Sequence, residues 1–194
     1  CMERLKLGFT SMMLDGSALP GEENAAATEA VARVCRSFGV PLEAEIGELC
    51  RLDDKGNKMG ASNIADPDVV RQYLKLCHPD SLAIGIGNAH GFYNGPVDIR
   101  AEVLEECRKF TDIPFVLHGC TGMDEELVKR SIDSGVTKIN FGTQVRCQYV
   151  NYLKEGLAEG KDQGHAWKLS QYAELRLRED IKDIIRLAGS KEKA

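Results

Sequence analysis

Five short apolar runs, at residues 9–14, 40–46, 81–86, 114–117 and 136–140, alternate along this chain with longer segments whose apolar residues recur at helical spacing. A short apolar run bounded by turn residues reads as a buried strand, and a three-to-four-residue apolar period reads as an amphipathic helix. Strands separated by whole helices cannot be hairpin partners. They fit a parallel sheet with crossover helices, either an open sheet or part of a (β/α)8 barrel. The helical segments are 22–38, closed by Gly39; 66–77, opened by an Asp66 cap and a first-turn Pro67; 97–110; and 124–134, stopped by Gly135. Two longer helices come after the last strand, 144–159 and 166–188, split by the polar turn 160–164, and residues 190–194 form a frayed end. No repeat or low-complexity linker divides the 194 residues, so they read as one domain, with residues 1–143 carrying the sheet and 144–194 the closing helices.

Charge and cysteine content exclude several classes of partner. The net charge of -5 gives no general attraction to nucleic acid or to an anionic membrane surface, and no apolar stretch reaches the length of a membrane span. The expected chain therefore binds neither. Seven cysteines, odd in number and without a C-x-x-C pair, read as reduced thiols, which points to a cytoplasmic metabolic protein.

In a parallel βα architecture, chemistry gathers on the loops after the strands. Every unusual cluster here falls at such a place. The first strand leads into Asp15-Gly16-Ser17, and the second ends Glu43-Ala44-Glu45-Ile46-Gly47. The third leads to Asn88-Ala89-His90-Gly91, the fourth to His118-Gly119-Cys120-Thr121-Gly122, and the fifth ends Lys138-Ile139-Asn140-Phe141-Gly142-Thr143. A lone histidine beside an apolar run is in general a packed core residue. Two His-Gly endings, 28 positions apart, point instead to neighbouring strands presenting imidazoles to one metal or one anionic substrate. His78 and His165 lie outside any motif.

These five clusters, in this order, together with Glu22-Glu23-Asn24 and Phe92-Tyr93, resemble the class II, zinc-dependent ketose-bisphosphate aldolases, which include enzymes of fructose and tagatose bisphosphates. The resemblance is collinear and covers nearly the whole chain. It implies a partial (β/α)8 barrel in which the five strands are the family's strands 4–8. It implies a reversible cleavage of a phosphorylated ketose into dihydroxyacetone phosphate and an aldehyde. His90 and His118 match two of the family's three zinc ligands; Zn²⁺ acts there as a Lewis acid on the ketone carbonyl. Gly91, Gly119, Cys120, Thr121, Asn140, Phe141, Gly142 and Thr143 match positions that hold substrate phosphate and hydroxyls. Asp15 and Glu45 match positions supporting a second monovalent or divalent cation, or the metal's outer shell. Asp53, with Asp54, falls in the polar loop 52–61, where the family carries acids that assist proton transfer; residues 51–58 otherwise read as a flexible surface loop.

The chain departs from the family pattern as well. Cys120 stands where glycine or alanine is usual, Thr121 where serine is commoner, and Gly142 where aspartate or alanine is frequent. The family's first three strands, with the His-x-Asp-His-like motif that supplies the third zinc ligand and an acid/base aspartate, are expected upstream of Cys1. Residues 1–7 would then be the tail of the helix before the family's fourth strand. Five strands cannot close a barrel, and two apolar sheet edges would need a partner or the remaining strands. Three readings compete: the carboxyl-terminal part of an aldolase, within a homo-oligomer as is common in the family; a non-catalytic phosphate-binding or aldolase-supporting subunit; and an unrelated open-sheet phosphate-binding enzyme.

Overall fold

The computed structural model describes residues 1–48, 50–52, 58–59, 64–91 and 98–193. Helix α1 (Met2–Lys6) leads into β1 (Met12–Asp15), α2 (Gly21–Ser37), β2 (Leu42–Ile46), β3 (Cys50–Leu52), β4 (Lys58–Met59) and α3 (Pro67–Leu76). Next come β5 (Ser81–Ile84), β6 (Ala89–His90), α4 (Glu102–Arg108), β7 (Phe115–Leu117), α5 (Glu125–Asp133), β8 (Val136–Ile139), α6 (Thr143–Ala158) and α7 (Ala166–Leu187). Five strands form one parallel sheet in the order β1-β2-β5-β7-β8, so spatial order matches chain order as in a segment of barrel wall. β1 and β8 are its edges.

Local chemistry explains the element boundaries. The Asp66 carboxylate accepts the Asp68 amide at 2.8 Å to start α3, and Asp124 accepts the Glu126 amide at 2.9 Å to start α5. Gly39, at φ +66°, closes α2 in a left-handed conformation that a β-carbon would disfavour.

The two faces of the sheet differ in chemistry. Ala44, Ile46, Leu82, Ile84, Phe115 and Leu117 are buried toward the helices, packing with Val70 and Tyr73 of α3 and with Leu104 and Cys107 of α4, while Leu42 packs with Ala32 and Cys35 of α2. Each large apolar side chain buried this way contributes about 1.5–3 kcal/mol. On the opposite face the register aligns Asp15 with Glu45, Glu43 with Ser81, and Ala83 with Val116. This inner face carries Asp15, Glu43, Glu45 and Ser81 beside the apolar Met13, Ala83 and Val116, whereas the outer face is apolar throughout. Between β7 and β8 the register slips: Phe115 pairs with Val136, but Val116 pairs with Lys138, leaving Thr137 as an extra residue. Such a bulge reverses the facing of the residues beyond it, so Lys138 joins the inner face although Val136 packs in the core.

Three expectations are corrected. The stretch at 51–58 is not wholly loop, because β3 and β4 pair antiparallel and β3 also pairs with β6 in a second, three-stranded sheet. His90 does not end the core strand. β5 stops at Ile84, and His90 sits on β6 opposite Arg51. The break comes from Asn88, whose Oδ1 accepts the Ile86 amide at 3.0 Å in place of a neighbouring strand. The helix expected over 97–110 begins only at Glu102, because the Arg100 amide donates to Ile86 O at 2.8 Å and a β-carbon on Gly87 would collide with Asp98 O. That backbone is engaged with the β5–β6 turn and cannot coil. Asp53 and Asp54 lie outside the described residues, as do Phe92 and Tyr93.

Candidate metal and phosphate site

The segments carrying the two histidines are packed backbone to backbone. Asn88, itself buried, donates from Nδ2 to His118 O at 2.6 Å, and so ties the turn before β6 to the end of β7. Gly119 takes φ +64°, and a β-carbon there would overlap Ala89 O and lie 2.8 Å from Ala89 C. Only glycine lets the chain pass so close. The result is that the His90 and His118 rings stand 6.0 Å apart between centroids, edge to face at 65°.

His118 is buried and held from the inner face. Its Nε2 lies 2.8 Å from Glu43 Oε1, while Glu43 Oε2 accepts from Lys138 Nζ at 2.7 Å. Burial alone would raise the Glu43 pKa, but the hydrogen bonds from His118 and Lys138 outweigh it and hold the carboxyl below its ordinary value. The other ring nitrogen, Nδ1, is 4.0 Å from Glu45 Oε2. Glu45 behaves oppositely to Glu43. Burial, reinforced by the Asp15 and Glu43 carboxylates, pushes it up to about 7 against the pull of His118 and a Ser17 hydrogen bond. Asp15 Oδ1 accepts both the Ser17 amide at 3.0 Å and its hydroxyl at 2.6 Å.

Beside the histidines lies a cleft of about 390 Å³ lined by His90, Gly91, Gly119, Thr121, Asn140, Gly142, Thr143 and Arg146. Six of the eight residues expected to contact substrate are thus brought together. The other two are placed elsewhere. The Cys120 side chain is buried behind the loop, its thiol within reach of Leu117 O at 3.5 Å and pushed up to about 12 by burial. Phe141 packs on the core and lines a separate cavity with Ile139 and Ile184. Gly142 is the cap residue of α6 and offers no side chain, but Thr121 Oγ1 accepts the Gln144 amide at 3.2 Å and ties the His118 loop to that helix start. The cleft thus gathers a helix start, hydroxyls and a guanidinium, the kinds of group that bind anions.

Three further residues of the site carry little signal in the sequence. Arg146 looks like any surface charge on an amphipathic helix, although its place one turn into α6 is a usable hint. Glu43 is visible as the i−2 partner of Glu45 but has no histidine beside it in sequence. Lys138 reaches the inner face only through the bulge.

The donor set fits a metal in part. Imidazoles sharing a tetrahedral zinc at about 2.1 Å have ring centres roughly 5 Å apart, close to the observed spacing. Among the described residues there is no group of three or more His, Cys, Asp or Glu that could hold a metal ion; the two imidazoles are the pair whose spacing suits one.

A family model described as "Fructose-bisphosphate aldolase class-II" matches residues 1–193. The chain belongs to the class II fructose-bisphosphate aldolase family. Among solved structures it is similar to the YdjI aldolase of Escherichia coli K12, with a TM-score of 0.80 and 27% identity over 100% of this chain and 65% of that one. It shares the fold of the fructose-bisphosphate aldolase of Campylobacter jejuni, with a TM-score of 0.76 and 22% identity over 96% of this chain and 64% of that one. The chain therefore spans about two thirds of the length of these aldolases, and its five-stranded sheet matches the aldolase barrel over that share. Among the described residues no helix is long and apolar enough to cross a membrane.

Proposed function

We propose that this chain carries the zinc and phosphate half of a class II aldolase site, serving the reversible cleavage of a ketose bisphosphate into dihydroxyacetone phosphate and an aldehyde. The observation that carries the reading is that His90, whose ring stands 6.0 Å from that of His118, lines a cleft that also holds Arg146 and the start of α6. His90 and His118 would hold zinc, with Asp15 and Glu45 in its outer shell or on a second cation. When bound, zinc acts as a Lewis acid on the substrate carbonyl and spreads the negative charge of the enediolate. The chain's own contribution is binding and orientation. Arg146 and the amides opening α6 neutralise the phosphate, and Thr121, Asn140 and Thr143 offer hydrogen bonds to it and to the hydroxyls.

Gly142, which offers the cleft no side chain, and Cys120, buried behind the loop, favour a second reading, a non-catalytic phosphate-binding or aldolase-supporting subunit. One experiment separates them. Protein supplied with zinc should take it up tightly and lose it in His118→Ala, and should bind dihydroxyacetone phosphate. Binding of dihydroxyacetone phosphate with no uptake of zinc favours the second reading. No binding at all contradicts both.

A further inference from the structure

We propose that Glu43 and Lys138 are positioning residues that set the tautomer of His118, so that the inner sheet face holds Nε2 and Nδ1 is left as the metal-binding nitrogen. This rests on the reading of His118 as a metal donor. The Glu43 side chain is only 7% exposed, and both of its oxygens are engaged, Oε1 with His118 Nε2 at 2.8 Å and Oε2 with the Lys138 ammonium at 2.7 Å. An ammonium has donors only, so Oε2 is an acceptor. With the carboxylate accepting on both sides, the proton of the neutral imidazole must sit on Nε2. The lone pair then belongs to Nδ1, whose carboxylate neighbour Glu45 lies at 4.0 Å, beyond hydrogen-bonding distance.

The route to this contact is built into the sheet. Glu43 is on β2 and Lys138 on β8, with β5 and β7 between them. The inner-face positions of β5, Ser81 and Ala83, are small, and Val116 is the inner-face neighbour of Lys138 on β7, so the long side chains meet over a largely low-lying surface. Lys138 faces inward only because the register slips at Thr137. The Lys138 side chain is 53% exposed, and an ion pair open to solvent on one side contributes little to stability alone. Orienting a ligand is a role that apolar residues cannot fill. Carboxylates that hold the far nitrogen of a metal-bound imidazole fix its orientation, and their loss weakens metal binding by about 10–100-fold.

The test uses the purified protein with ¹⁵N-labelled histidine at about pH 8, above the ordinary imidazole pKa of about 6.5. Ring-nitrogen shifts for His118, assigned by substituting the other histidines, should report a proton on Nε2 alone. In parallel, zinc affinity is measured by chelator competition. Glu43→Gln should weaken it by about 10–100-fold, Lys138→Met should weaken it in the same direction, and Lys138→Arg should restore it, with melting curves confirming that each variant is folded. A proton on Nδ1, alone or with one on Nε2, overturns the proposal, as does unchanged zinc affinity in both Glu43→Gln and Lys138→Met. If the unsubstituted protein takes up no zinc, the metal reading of His118 fails, and the ring-nitrogen result still decides the tautomer by itself.

Discussion

Replacing Gly119 with alanine tests whether the two histidine segments are as closely packed as the structure has them. Two penalties should combine. The left-handed backbone at φ +64° costs a residue with a β-carbon about 1–2 kcal/mol. The new methyl also meets the backbone of Ala89, which cannot rotate away as a side chain would, and overpacking of that kind costs about 1–3 kcal/mol more. Gly39 provides an internal control. Its φ is +66°, but a β-carbon there has nothing within 4 Å, so Gly39→Ala should carry only the backbone penalty. For a chain of this size each kcal/mol lowers Tm by about 2–4 °C. Gly119→Ala should therefore lose roughly 5–15 °C in a calorimetric melt, and Gly39→Ala only a few degrees. The clash should also push β6 away from the end of β7 and weaken zinc uptake, which Gly39→Ala should leave alone. Equal losses in the two variants would mean that Ala89 and Gly119 are not in contact, and the two histidines would then not be held to one shared site.

Other outcomes rest on separate parts of the structure. Arg146→Ala should weaken binding of dihydroxyacetone phosphate by about 10–100-fold, the loss of a charge-assisted hydrogen bond of about 1.5–3 kcal/mol, with little change in Tm; unchanged affinity in a calorimetric titration would remove Arg146 from the site. Tyr73→Phe removes a buried hydroxyl 2.7 Å from Thr28 Oγ1 and should cost about 1–2 kcal/mol in urea unfolding, and no cost would mean the Thr28, Asn24 and Tyr73 cluster does not support the fold. The Glu29 carboxyl is held down at about 2, chiefly by the Arg33 hydrogen bond and then by those from His78, with Arg36 assisting. Its stabilising effect is present above the ordinary value of 4.5 and is lost as pH falls toward 2, so Glu29→Gln should flatten the acid limb of a stability–pH curve in that window. The effect will be small because the arginines are largely exposed, and an unaltered limb would contradict it.

How much of this is legible in the sequence depends on the length scale over which each feature is encoded. The strand–helix alternation is local, and it places all five strands of the main sheet and their parallel order. Caps are local too: Asp66, Pro67 and Asp124 start helices where their side chains suggest. The second sheet is not legible, because strands of two or three residues such as β4 and β6 leave no periodicity to read. The bulge at Thr137 is equally hidden, since a register slip is a property of two strands together, and with it goes the inward turn of Lys138. Cys120 and Phe141 lie within the motif in sequence, yet their side chains turn with the loop's alternation into the core. Family resemblance gives the positions of the site, but which side chains reach the cleft is decided by packing.

The central claim is that His90 and His118 converge as two donors to one metal ion. X-ray absorption at the zinc edge of the metal-loaded protein tests it most directly. The spectrum should show imidazole scattering with zinc–nitrogen distances of about 2.0–2.1 Å and one imidazole fewer in each of His90→Ala and His118→Ala. Zinc that keeps its imidazole shell in either variant, or that shows sulfur at about 2.3 Å from the cysteines instead, would contradict it.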